Sequence, residues 1–221
     1  MENFSKLSDS IYFYGADTLF VNRYTSSKID WKEKGLTITQ NADLPTVKFT
    51  INGNAEGKIV LRVPDWCKNT PTVKINSEPR SIDIKNGFII LEKEWNDGDI
   101  VEYTMNMQIT VHPLPDNENS VSFKYGPWVL SADMGNENMT TDVTGVNVTI
   151  PNPCDNMSDV IVIQNDTVEN WLENINENLV KWENELKFTL KGTDRELIFS
   201  PHYKQHTNRY GIYFKFVMRN A

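Results

Sequence analysis

The chain has little cysteine, no surplus of positive charge and no long apolar run. Its 221 residues hold two cysteines, Cys67 and Cys154, neither in a CxxC context. They read as free thiols, with a disulfide between them left open, and not as the frame of a disulfide scaffold. Lysine and arginine number 22 against 30 aspartates and glutamates, a formal net charge of −8 with no basic stripe. Nucleic acid and anionic membrane surfaces need a cationic footprint, so the composition argues against both as partners. Nothing approaches the roughly 18 consecutive apolar residues of a membrane-crossing helix. The opening MENFSKLSDSIYFYG lacks the basic start and apolar core of a signal peptide. No Gly-x-Ser-x-Gly elbow, phosphate loop or cysteine–histidine nucleophile pair occurs.

What is present is a folded, strand-rich composition. Apolar residues make up 39% and charged residues 24%, enough to bury a core in one large or two small domains. Short runs alternate apolar and polar residues and stop at turn residues, the pattern of half-buried antiparallel strands. TLFVNRY (18–24), LTITQ (36–40), VKFTING (47–53) and KIVLRVPDW (58–66) follow it. So do TVKINSEPRSID (72–83), GFIILEKEW (87–95) and IVEYTMNMQITV (100–111). Asn86-Gly87 suits a hairpin turn with positive φ. Later strands are expected in VSFKYGPWVL, VNVTI, DVIVIQ, ELKFTLKG and RYGIYFKFV. A strand-plus-turn unit of about ten residues, without a βαβ rhythm, is the spacing of sandwiches.

Two segments depart from alternation. Phe4, Leu7 and Ile11 recur at helical spacing and predict a short helix near the start. DTVENWLENINENLVKW predicts a second, from about Thr167 to Asn174, with Asp166 as cap and Glu169 in capping-box position. The expected fold is therefore mostly β: two antiparallel sandwich-like units with a short N-terminal helix and one short helix in the second unit. The divisions fall at residues 1–15, 16–111 and 112–221. The boundary at Val111–His112 is placed by HPLPDNEN, which reads as a polar connector with prolines.

Chemistry is thin. His202 and His206 stand four apart in SPHYKQHTNRYGIYF, and on a helix that spacing would place both on one face for zinc. Pro201 before them, Thr207 and Asn208 after them, and the lack of an adjacent glutamate favour a structural corner instead. Carboxylates such as Asp97 and Asp99, or Glu92 and Glu94, could form the pair that glycoside hydrolysis requires. Solvated surface is the better reading of both pairs. Among six tryptophans, Trp66, Trp95 and Trp128 are the candidate sugar-stacking platforms, weighed against plain burial. The sequons at Asn138, Asn147, Asn156 and Asn165 follow from an asparagine-rich chain, and glycosylation is not inferred. No catalytic residue and no metal ligand emerges.

Several segments, in order, resemble the C-terminal part of glycoside hydrolase family 127, the β-L-arabinofuranosidase-like proteins. They are the first forty residues, then LRVPDW, VKINSEP, GFIILEKEWNDGDIVEYTMNM, VSFKYGPWVL, WLENI and PHYKQHTNRYGIYF. The resemblance implies a catalytic (α/α)6 barrel followed by β-sandwich domains. The barrel's zinc site includes a Cys-Cys pair, one member of which is the proposed nucleophile. That pair falls just upstream of Met1-Glu2, so the chain is expected to begin after the last catalytic segment. Neither Cys67 nor Cys154 matches a zinc cysteine, and no cofactor is expected in this chain. Trp128 departs from the aliphatic residue common in that family. The implied partner is the barrel, in the same or a separate chain, with a glycan or an oligomer as further partners. The expected role is a non-catalytic β portion that braces the barrel. The alternatives are a stand-alone carbohydrate-binding module using exposed aromatics and a protein-interaction module.

Overall fold

The structure is a computed structural model that describes residues 6, 8–136 and 158–219. The chain divides between Met107 and Gln108 into two units. Phe4, Leu7, Cys154, the expected strand at 146–150 and three of the four sequons lie outside the described residues. Among the described residues, no helix is long and apolar enough to cross a membrane.

The described residues of the first unit form eleven strands: β1 (Tyr12–Tyr14), β2 (Thr18–Val21), β3 (Ser27–Trp31), β4 (Leu36–Asp43), β5 (Thr46–Asn52), β6 (Ala55–Arg62), β7 (Thr72–Ile75), β8 (Glu78–Arg80), β9 (Ile84–Lys85), β10 (Phe88–Trp95) and β11 (Ile100–Thr104). They form a five-stranded sheet, β1-β2-β6-β10-β9, and a six-stranded sheet, β3-β4-β5-β11-β7-β8. Alternation becomes burial directly. In β5, Val47, Phe49 and Ile51 are buried while Lys48 and Asn52 are exposed. One apolar cluster draws on both sheets, Leu19, Ile59 and Leu91 from one and Ile38, Phe49 and Tyr103 from the other.

Two tryptophans are fully buried in that cluster, and each has its polar atom answered. Trp31 donates its indole N–H to the Gly15 carbonyl at 3.0 Å. Trp95 donates to the Gly57 carbonyl, also at 3.0 Å. Gly57 has no room for a side chain, because a Cβ there would lie 3.1 Å from the Trp31 ring. Turn chemistry follows the sequence: Asn86 and Gly87 both take positive φ between β9 and β10.

The second unit contains β12 (Ile109–Leu114), β13 (Asn117–Tyr125), β14 (Trp128–Asp133), β15 (Val160–Ile163), helices α1 (Val168–Glu173) and α2 (Ile175–Asn178), then β16 (Leu179–Lys181), β17 (Phe188–Leu190), β18 (Ile198–Pro201), β19 (Tyr210–Gly211) and β20 (Phe214–Met218). The main order is β15-β20-β13-β14-β18-β17-β16, with β12 on β13 and β19 on β14. Its core is aromatic. Phe123 meets Phe199 and Phe216 at ring separations of 5.6 and 5.9 Å, and Trp171 from α1 stacks on Phe216 at 5.0 Å. The Asn176 side chain clasps Ile109, accepting its N–H at 2.8 Å and donating to its carbonyl at 3.2 Å, which ties α2 to β12.

Four expectations need correction. The described part of the expected N-terminal helix is turn around Ser8–Ser10 and then strand β1, because the Ile-Tyr-Phe-Tyr run fits a pleated surface better than a helix. HPLPDNEN is no connector. His112, Pro113 and Leu114 belong to β12, which turns straight into β13 with a register shift between Pro113 and Leu114. Thr167, not Asp166, caps α1, its hydroxyl accepting the Asn170 N–H at 3.2 Å. Two pairings are parallel, β2 with β6 and β15 with β20, inside otherwise antiparallel sheets.

Candidate functional site

The two histidines end in different surroundings. His202 to Lys204 form one 3-10 turn and Gln205 is already extended, so the one-face spacing of an α-helix does not arise. The His202 ring meets Tyr210 edge to face at 4.6 Å, and its Nδ1 lies 3.4 Å from Ser131 Oγ. His206 is exposed. His112 places Nε2 2.9 Å from Thr110 Oγ1. No three His, Cys, Asp or Glu side chains among the described residues converge to hold a metal. Cys67 is buried, and that burial pushes its thiol pKa up, the opposite of what a thiolate ligand or nucleophile needs. The described residues therefore do not fit a zinc ion.

The paired carboxylates serve turns and strands; Asp97, Glu92 and Glu94 are exposed as expected, but Asp99 is buried, 5% exposed, and is not solvated surface. Asp97 Oδ1 accepts the Gly53 N–H at 2.9 Å, and Asp99 accepts the Asn96 N–H at 2.9 Å. Glu92 pairs with Lys58 at 3.4 Å on the exposed side of β10. Of the three candidate platforms, Trp95 is corrected: it is fully buried with its indole N–H bonded, so no sugar can reach its face. Trp66 is half-buried against the first unit's core. Trp128 is half-buried in the second unit, 6.3 Å from the exposed ring of Tyr203. These two stand in separate units.

The feature missed from sequence lies on the outer face of the five-stranded sheet. Phe13 on β1 is opposite Phe20 on β2, Phe20 is in register with Val60 on β6, and Val60 is opposite Ile90 on β10. One apolar row thus crosses four strands. Phe13, Phe20 and Ile90 are 53, 39 and 52% exposed, while Val60 between Phe20 and Ile90 is already buried, 4% exposed. Phe88 adds an edge-to-face contact with Phe20 at 6.0 Å. Lys58 and Glu92 lie beside the row and supply a polar margin. The signal was available in FIIL and KIVLRV, where apolar residues occupy both strand faces instead of alternate ones.

Comparison with known proteins agrees with this architecture. Residues 18–107 match the family model described as "Beta-L-arabinofuranosidase, GH127 middle domain". Residues 110–216 match a model described only as a domain of unknown function. A curated relative, the non-reducing end β-L-arabinofuranosidase of Bifidobacterium longum, is 24% identical over 67% of this chain and 26% of its own length. A solved β-L-arabinofuranosidase of the same family from Geobacillus stearothermophilus superposes with a TM-score of 0.64 at 19% identity, over 94% of this chain and 35% of that one. A solved family 127 β-arabinofuranosidase gives 0.65 at 16% identity, over 94% and 36%. The chain therefore spans about a quarter to just over a third of these relatives.

Proposed function

We propose, from the match of residues 18–107 to the glycoside hydrolase family 127 middle-domain model, that the chain is the non-catalytic β portion of a β-L-arabinofuranosidase-like enzyme, bracing a helical catalytic barrel. The observation that carries this reading is the Phe13–Phe20–Val60–Ile90 row. Fully burying an exposed Phe or Ile side chain contributes about 1.5–3 kcal/mol; Phe13, Phe20 and Ile90 are about half exposed, so covering the row recovers roughly half of that for each. Its occupant is argued from length: the relatives are about three times longer, and most of their chain is unaccounted for by these two units. In this reading both units are sandwich-like, the first by the two sheets that share one core.

What supports a non-catalytic reading is that, among the described residues, the buried carboxylate of Asp99 is committed to turn hydrogen bonds and Cys67 is a buried thiol. The chain alone is expected to show no turnover of an aryl β-L-arabinofuranoside with or without zinc; zinc-dependent turnover would overturn the proposal. The docking half is tested by co-expression with a helical barrel from the same locus. Association is expected, and Phe13→Lys with Ile90→Lys should abolish it while the chain stays folded. An association that survives the double variant would place the contact elsewhere.

A further inference from the structure

The apolar row belongs to the first unit; the second unit holds a cleft that a bracing role leaves unused. It lies between Asp133 at the end of β14, Ser200 on β18, the turn before β17 and the segment 204–208. Its volume is about 470 Å3, within the range of small-molecule sites, roughly 300–1,000 Å3. We propose that this cleft binds a neutral saccharide.

The charges in the lining balance. Asp133 and Glu185 stand against Lys187 and Lys204, and Lys187 Nζ is 2.6 Å from Glu185. A phosphate or sugar acid would favour a cationic pocket, and a cation would favour converging carboxylates. Neither description fits. What the lining offers is donors and acceptors together, with Leu186 and Ile198 as apolar lining. Each sugar hydroxyl both donates and accepts, and its C–H faces tolerate apolar lining, so a polyol matches this mixture.

The polar groups are held in place before any ligand arrives. The Asp133 carboxylate accepts two bonds from the Asn208 amide, at 2.9 and 2.8 Å, and one from the Gly135 N–H at 2.9 Å. A carboxylate has about four acceptor positions, so capacity remains for a hydroxyl. Gln205 donates to Ser200 Oγ at 3.0 Å, which leaves the Ser200 proton and the Gln205 carbonyl oxygen for a ligand. Ser200 is itself fixed by strand pairing opposite Ser131. Both lysines rest over aromatic rings, Lys187 over Trp182 at 5.2 Å and Lys204 over Tyr203 at 5.9 Å. Preorganisation of this kind reduces the ordering cost that weakens sugar binding.

The site stands on the second unit's geometry and is independent of barrel docking, which concerns the first. The test is an amide chemical-shift titration of the full chain with L-arabinose, D-galactose, D-glucose and cellobiose, and with D-galacturonate as the charged comparison. The expected result is saturable shifts for at least one neutral sugar, confined to residue 133, residues 184–187 and residues 198–208. Gln205→Ala and Lys187→Ala, which leave the core untouched, should each weaken binding about tenfold with the thermal midpoint unchanged. Absence of saturable shifts with all four neutral sugars would overturn the proposal. So would a stronger response to D-galacturonate, shifts centred elsewhere, or indifference to both variants.

Discussion

Asp99 takes the Lys93 ammonium on Oδ2 at 2.7 Å and the Asn76 amide on Oδ1 at 2.7 Å. With the Asn96 N–H also on Oδ2, this nearly buried carboxylate gathers the ends of β7, β10 and β11 around one turn. Asn76 returns the contact by accepting the Ile100 N–H at 2.8 Å. The NDGD sequence is thus a structural knot and not an acid–base pair.

Burial alone would raise the Asp99 pKa, but the Asn96 N–H, Lys93 and Asn76 outweigh it and hold the carboxyl below its ordinary 3.8. A carboxylate depressed in the folded state stabilises above its unfolded pKa and loses that contribution as pH falls through the folded one. Acid titration of the thermal midpoint should therefore show a decline below about pH 4 that Asp99→Asn flattens. At neutral pH, Asp99→Ala should cost about 2–4 kcal/mol, since Lys93 and two N–H groups lose their acceptor. Urea unfolding measures it.

Trp95→Ala should destabilise by about 3–5 kcal/mol, the cost of a large cavity. Trp95→Phe should cost less, about 1–3 kcal/mol, much of it from the unpaired Gly57 carbonyl. Neither change should alter glycan titrations of the second unit, because the indole is fully buried in the first.

Two glycines should resist alanine for steric reasons. A Cβ on Gly57 meets the Trp31 ring at 3.1 Å, and one on Gly211 meets Phe214 Cζ at 2.5 Å. Gly57→Ala is expected to cost about 1–3 kcal/mol as overpacking. Gly211→Ala should cost more, because its Cβ comes closer, 2.5 Å against 3.1 Å, to a ring that is equally buried. Denaturant midpoints of the two variants give the order.

Adjacent isoleucines on β10 should behave oppositely. Ile89 is 1% exposed and Ile90 is 52% exposed. Ile90→Lys should shift stability by less than about 0.5 kcal/mol while lowering binding of a hydrophobic dye. Ile89→Lys should prevent folding, because it buries an unpaired ammonium. Circular dichroism and dye fluorescence separate the cases.

Much of the strand content was legible in the residues themselves. Val47, Phe49 and Ile51 announced β5 by period two, and Asn86-Gly87 announced its turn. The helix near Trp171 was legible too, although its cap shifted by one residue. What alternation does not encode is the partner of each strand. β2 and β6 are separated by more than thirty residues, so their parallel register depends on packing that no local window contains. Trp95 misled for the same reason: its N–H is answered by Gly57, 38 positions away. The cleft around Asp133 was equally invisible, because Asn208 reaches it across 75 positions.

β1 and Gly15 lie ahead of residue 18, where the middle-domain match begins. They close the free side of β2 and supply the acceptor for the Trp31 indole, and Tyr12 adds a bond to Ser27 at 2.9 Å. A recombinant fragment trimmed to start at 18 would leave β2 with a bare hydrogen-bonding margin and a buried indole without its acceptor. Such a fragment is apt to zip onto its own copies strand by strand, so the practical start of this domain precedes its recognisable sequence by at least one short strand.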